Sequence, residues 1–217
     1  RKADAQLNIH NSTVMVIPTL GWGTSSWDGE QLGSLSWDKG GAVDKMQYAL
    51  DVLPLDAFRA EFMGRQWGVP AEFLCYQRPY TTPQILAVTL RHDVLVRPSA
   101  DYLPMVSELW RLYDRFGMRD AEFLPYWSNT GVIQAGPEGI RTSAYRHPRH
   151  GLLMVVSNLA AAAVTADVQI ATGALGLAGP GLTARDALSE EPIALTDGRF
   201  ALTMAPMSYR WVWLATP

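Results

Sequence analysis

The chain has one cysteine, Cys75, in 217 residues. No internal disulfide can form, so the cysteine content gives no sign of oxidative folding and none against it, and no compartment follows from it. Positive charge is also scarce: 18 Lys and Arg face 21 Asp and Glu, for a formal net charge of −3 and a pI near 5.8. Such a surface has no basic field to hold phosphates, which disfavours nucleic acid as a main partner. No apolar run approaches the ~20 residues that span a bilayer, and no signal-peptide run opens the chain, so no membrane partner is expected. The sequence lacks a metal-ligand cluster, a phosphate-binding glycine loop, a nucleophile elbow and an internal repeat. The glycine-rich text from Gly176 to Gly181 reads as a turn between strands and opens no helix, so a dinucleotide reading fails on context. Neither a metal nor a cofactor is expected.

What the chain does have is apolar residues, 48% of the total, and eight tryptophans. That suffices for one ordinary core or two small ones in a soluble globular protein. The writing changes at DYLPMVSELWRLYDRFGMRDAEFLPYW, residues 101–127. Asp101 suits an N-cap, Pro104 an opening turn and Gly117 a left-handed stop. Between them Leu103, Val106, Leu109, Trp110, Tyr113 and Phe116 recur at helical spacing, which predicts a linking helix over 101–117 with that side buried, Trp110 included. Pro125 ends any helix, and Tyr126 and Trp127 follow.

Before the joint, from Leu7 to Pro98, apolar runs alternate with long loops. LNIHN, ALDVLPLDAFRAEFMG and ILAVTLRHDVLVRP each place apolar residues ahead of polar ones, as buried parallel strands in a barrel or a doubly wound sheet do. The strands are too few to close an eight-stranded barrel. The chain begins at Arg1 on what reads as a core strand, so an incomplete chain is expected, with further strands upstream. After the joint, GVIQA, IRTSAYR, GLLMVVSN, VTADVQI, LTARDAL, GRFALTM and SYRWVWL follow one another at the spacing of an antiparallel sandwich, with turns at 136–139, 147–151 and 197–198.

The candidate chemistry lies in the first half. GWGTSSWDGEQLGSLSWD interleaves Trp22, Trp27 and Trp37 with Asp28, Glu30 and Asp38 in a glycine-rich loop. Indole faces stack on the apolar faces of sugar rings and carboxylates accept from hydroxyls, while glycoside hydrolysis needs paired carboxyls about 5 to 10 Å apart. The bland alternative is that the tryptophans pack the loop down and the acids are solvated. Glu30 is the candidate catalytic carboxylate, because Gly29 frees the backbone ahead of it and its side chain reaches further than that of Asp28. His10 with Asn11, and His92 with Asp93, follow apolar runs and fall at strand ends, where an imidazole can orient a hydroxyl; for His92 a satisfied core role weighs more. If FRAEF is a strand, Arg59 and Glu61 point one way and form a couple.

The succession of HN after a strand, WDGEQL, LRHDVL, ELWRLYDRFGMRDAEFLPYW and LLMVVSN resembles the carboxyl-terminal half of bacterial glycoside hydrolases related to family 123. ARDALSEEPIAL is similar to the last sandwich strands of many carbohydrate-active enzymes. The resemblance implies α/β plus all-β architecture: residues 1–125 as the C-terminal portion of a TIM-like (β/α) barrel including the linking helix, and 126–217 as a C-terminal β-sandwich. It implies a part of a glycoside hydrolase-like protein acting on a carbohydrate, this chain supplying rim contacts and the sandwich. Its partners would be the sugar and either the upstream part of the same protein or a second copy. The alternative is a non-catalytic carbohydrate-binding or structural module. The adjacent Asp-Glu pair that family 123 uses does not occur in this chain, so the resemblance carries no catalytic assignment.

Overall fold

The computed structural model describes residues 5–10, 17–28, 55–64, 68–74, 81–98, 100–177, 179 and 181–216. The chain divides into two compact units, Arg1–Asp101 and Tyr102–Pro217. The fold is of mixed α/β content with antiparallel sheets in the second unit.

In the first unit β1 (Asn8–His10), β2 (Ser25–Asp28), β3 (Ala71–Leu74) and β4 (Leu95–Arg97) form a parallel sheet in chain order. Three described helices, α1 (Ile17–Leu20), α2 (Leu55–Phe62) and α3 (Thr82–Thr89), lie between the strands in sequence. Register sorts the side chains onto two faces. Asn8, Ser25 and His10, Trp27, Glu72 share one; Ile9, Ser26, Asp28, Ala71, Phe73 and Val96 share the other. The second face carries the apolar packing, for Phe73 meets Phe58 and Phe62 of α2 at 5.6 and 4.8 Å between ring centroids.

Two runs read as strands are helices. Residues 55–62 of ALDVLPLDAFRAEFMG form α2, with Phe58 and Phe62 one turn apart and both buried. ILAVTLRH is α3 continued by a 3-10 turn, Leu90–His92, and only LVR beyond it is strand. Thr81 and Gln84 explain the start of α3: the Thr81 amide donates to Gln84 Oε1 at 3.0 Å, and Pro83 sits in the first turn. A short apolar run buried all round has no period by which to tell helix from strand.

The second unit opens on a 3-10 turn, Ala100–Tyr102, and α4 (Leu103–Phe116). Tyr102 holds the N-cap position without a side-chain cap bond, so Asp101 is not the cap. Gly117 closes the helix at φ 74°, its amide donating to the carbonyls of Tyr113 and Asp114. Val106, Leu109, Leu112 and Phe116 are buried, whereas Leu103 and Trp110 are 49% and 50% exposed. These two stand one heptad apart on the same side, so the buried stripe runs through Leu112 and leaves Trp110 at the surface.

A 3-10 turn (Met118–Asp120) leads to two antiparallel sheets. In space the first runs β11 (Pro192–Ile193), β10 (Thr183–Asp186), β13 (Ser208–Ala215), β8 (Gly151–Asn158), β7 (Ile140–His147), β5 (Glu122–Leu124); the second runs β12 (Arg199–Met204), β9 (Val164–Ile170), β6 (Ile133–Gly136). All seven strands read from the sequence are present, joined by β5 and β11. Inward residues of both sheets make one core, among them Ile140, Leu152, Met154, Val156 and Val212 facing Ile133, Val168, Phe200 and Met204. The other side of the larger sheet takes α4: Phe116 meets Trp213 at 5.4 Å and Tyr113 meets Trp211 at 5.7 Å, both edge-on. Gly151 allows the β7–β8 turn, at φ 84° and so close to the Leu214 carbonyl that a Cβ there would clash. The helix read as the end of the first domain therefore packs in the sandwich unit.

Candidate functional site

The polar face of the parallel sheet gathers two of the candidates, His10 and Trp27, into one cluster. Glu72, midway along β3, is its hub. Trp27 Nε1 donates to Glu72 Oε2 at 3.0 Å, Ser25 Oγ donates to Oε1 at 2.6 Å, and Asn8 Nδ2 donates to Oε1 as well as to Ser25 Oγ. One carboxylate thus ties β1, β2 and β3 together and fixes the edge of the Trp27 indole. Arg97, closing β4, places its guanidinium 4.0 Å from the centre of that indole, within cation–π range. The exposed His10 ring lies 5.7 Å from Trp27, tilted by 55°. An aromatic ring flanked by a cation and an imidazole at the carboxyl ends of parallel strands can stack a ligand ring and bond its hydroxyls.

Asp28, next along β2, points to the opposite face and meets Glu61 of α2. Burial raises the Glu61 pKa above the ordinary carboxylate value, and the charge of Asp28 and a hydrogen bond with it push the same way. The Arg59–Glu61 couple does not form: the segment is helical, so residues two apart diverge by about 200°, and Arg59 pairs with Asp56 at 3.2 Å instead.

His92 belongs to the packing. It is fully buried in the 3-10 turn that ends α3, its Nδ1–H donates to the Val88 carbonyl at 2.5 Å, and Phe58 lies 4.8 Å away. Burial, aided by the Arg91 charge, pushes its pKa down to about 3. Asp93 is exposed and left-handed at φ 57°, ending that turn. Neither follows a strand, because the run before them is α3. Trp22 is 70% exposed in the turn after α1. Trp27 and Asp28 are strand residues rather than loop residues. Asn11, Glu30 and Trp37 fall outside the described residues.

Asn8, Ser25, Glu72 and Arg97 were not among the candidates. A signal existed for Glu72, an acid inside the apolar strand AEFL. The other three become visible only through register, since Trp27 and Glu72 are 45 residues apart. Among the described residues no group of three His, Cys, Asp or Glu side chains is placed to hold a metal ion.

Residues 105–186 match the family model described as glycoside hydrolase 123, C-terminal domain. The matched residues lie within the second unit. The match begins inside α4 and ends on the last residue of β10. No curated protein matches the chain. Among solved structures the chain is similar to a GH27 β-L-arabinopyranosidase from Geobacillus stearothermophilus, at 11% identity over 90% of this chain and 45% of that one, with a TM-score of 0.49. An Anoxybacillus α-amylase follows at 13% identity over 89% and 38%, TM-score 0.44. A maltogenic α-amylase from Thermotoga neapolitana follows at 10% over 98% and 55%, TM-score 0.45. The chain spans less than two thirds of the length of each of these structures.

Proposed function

We propose that this chain is part of a glycoside hydrolase-like protein acting on a carbohydrate, in which the carboxyl ends of β1, β2 and β4 supply sugar contacts and the chain continues into a C-terminal sandwich. The observation that carries the reading is the Trp27 indole, held at its edge by Glu72 and flanked by Arg97 and His10. The family 123 match over 105–186 supports the same class. Trp27 stacks the sugar ring, while Arg97 and His10 bond its hydroxyls. Asn11, Glu30 and Trp37, outside the described residues, are proposed as further sugar contacts, with Glu30 as the carboxylate that acts on the glycosidic bond; Trp22 precedes β2 and Asp28 ends it.

The sheet itself is proposed to be a portion of a (β/α) barrel. Its strands are parallel and in chain order, α2 covers one face, and the other face is polar, as in the interior near the active end of such barrels. In that reading the barrel portion runs to residue 125 through α4, the sandwich from 126, and α4 belongs to the barrel by chain order and to the sandwich by packing. The remaining strands come from an upstream part of the same protein or from a second copy.

A non-catalytic carbohydrate-binding module is the second reading, favoured by one observation. Among the described strand residues of the polar face Glu72 is the one carboxylate, and Trp27, Ser25 and Asn8 all donate to it, whereas glycoside hydrolysis needs two. Chromogenic glycoside turnover, together with sugar-binding calorimetry on the full-length parent protein and its Glu30→Gln variant, separates the two. Turnover lost with binding kept supports hydrolysis through Glu30. Affinity lost without any turnover supports the binding module, and unchanged values in both remove Glu30 from the site.

A further inference from the structure

The last turn of α4 is held to the sandwich by a set of rings at the β7–β8 turn. Phe116 meets three of them edge-on, Trp213 at 5.4 Å, His147 at 5.7 Å and His150 at 6.4 Å between centroids. The two imidazoles stack at 4.2 Å with 11° between their planes. His150 fixes the helix end: its Nδ1–H donates to the Phe116 carbonyl at 2.7 Å, and its own carbonyl accepts from Trp213 Nε1 at 2.7 Å. His147, which is buried, fixes the turn, its Nδ1 accepting from the amides of Arg149 and His150, both at 3.0 Å. The helix end lies so close that a Cβ at Gly117 would come within 3.0 Å of His147 Nε2.

The two rings answer a proton differently. A neutral imidazole that accepts at Nδ1 carries its hydrogen on Nε2, so a second proton can go only to Nδ1. In His147 that atom faces two N–H donors, and protonation turns their shared acceptor into a third donor. His150 can take a proton on Nε2 and keep its bond to Phe116, at a helix C-terminus, where a cation is favoured. Burial most of all, then the charges of His150 and Arg149 from its own turn, hold the His147 pKa below the ordinary value, against Asp120 of the 3-10 turn after α4. Arg146, beside it on β7, is paired with Glu122, and Arg115 of α4 with Glu190. From α4 and β13 the set receives the uncharged rings of Phe116 and Trp213.

We propose that the His147–His150 stack is an acid-sensitive latch on α4: a proton on His147 breaks its two amide bonds and frees the last turn of the helix from the β7–β8 turn, while both sheets stay folded.

The test is amide hydrogen exchange read by NMR on the 217-residue chain from pH 7.5 to 4.5, expressed as protection factors. Below the ordinary histidine value of 6.5, protection of the Gly117, Arg149 and His150 amides should fall by up to about ten-fold per pH unit, the slope of one proton, while that of the β8 amides holds level. In His147→Asn the Oδ1 stands where Nδ1 stood and accepts from the same amides but takes no proton, so protection at the three amides should not change with pH. A flat profile in the wild type, the wild-type slope in His147→Asn, or a parallel loss in β8 overturns the proposal. Should His147→Asn fail to fold, the wild type decides alone: the His147 ring and the Arg149 and His150 amide resonances should titrate with one midpoint, and separate midpoints overturn it.

Discussion

The sandwich and the parallel sheet place their charged side chains in opposite ways. In the sandwich, charges pair at strand ends and on outer faces: Arg210 with Asp186, Arg199 with Asp167, Arg146 with Glu122. Its interior is one apolar cluster shared by two sheets, and the far side of the larger sheet is closed by α4. On the parallel sheet, Glu72 lies in the middle of a strand and collects donors from β1 and β2, while Arg97 covers an indole. The contrast teaches where to look for stability and where for binding. Polar groups at the sandwich rim finish turns, and polar groups in the middle of the parallel sheet hold an aromatic ring in a set orientation, which is of use to a ligand.

The largest expected effect is in α4. Phe116→Ala empties a fully buried ring site against Trp213 and His147 and should destabilise the sandwich unit by roughly 3–5 kcal/mol. Trp110→Ala, on the same helix but half exposed, should cost no more than about 1 kcal/mol. Chemical denaturation of both variants checks the difference; equal losses would mean that the two sides of α4 are buried alike.

Next comes Asp186. Burial acts to raise its pKa, but the Ser189 amide, Arg210 and the Leu188 amide outweigh it and hold it below the ordinary value. Asp186→Ala removes the acceptor for all three and should cost roughly 3 kcal/mol, seen as a lower denaturation midpoint. In the parallel-sheet unit the acid-sensitive group is His92. Its folded pKa of about 3 lies below the unfolded value near 6.5. Between those values the unfolded chain binds a proton that the folded chain does not, so stability is full above pH 6.5 and falls as pH drops toward 3. At pH 5 the loss from this group should be about 2 kcal/mol. Burial, with the charge of stacked His150 4.2 Å away, also lowers His147, which adds a loss of the same sign in the sandwich. Denaturation midpoints measured from pH 7.5 to 4.5 in wild type and His92→Leu check this: the variant should show the shallower slope, and equal slopes would remove His92 as its cause.

How much of this the sequence shows depends on period and distance. Among the sandwich strands Arg199–Met204 is legible by its alternation, every second residue being buried, while Gly151–Asn158, buried almost throughout, is legible by its apolar run between turns. The strands β5 and β11, of three and two residues, are too short to carry a pattern and exist through their partners. Within α2, Phe58 and Phe62 sit among polar residues in a run short enough to pass for a strand, and α3 is apolar on all sides. At the candidate site, Trp27 and His10 stand out as rings near strand ends. Glu72 and Arg97 do not, because only the parallel register of separate strands brings them to the same indole.

The measurement that bears most directly on the central claim, that the polar face of the parallel sheet holds Trp27 for a sugar, is oligosaccharide-binding calorimetry on the chain and its Trp27→Ala and Glu72→Gln variants, with denaturation run in parallel. The account predicts binding by the wild type that is lost in Trp27→Ala and weakened in Glu72→Gln, with stability in Glu72→Gln changed by no more than about 1 kcal/mol. Binding that survives intact in both variants would contradict it.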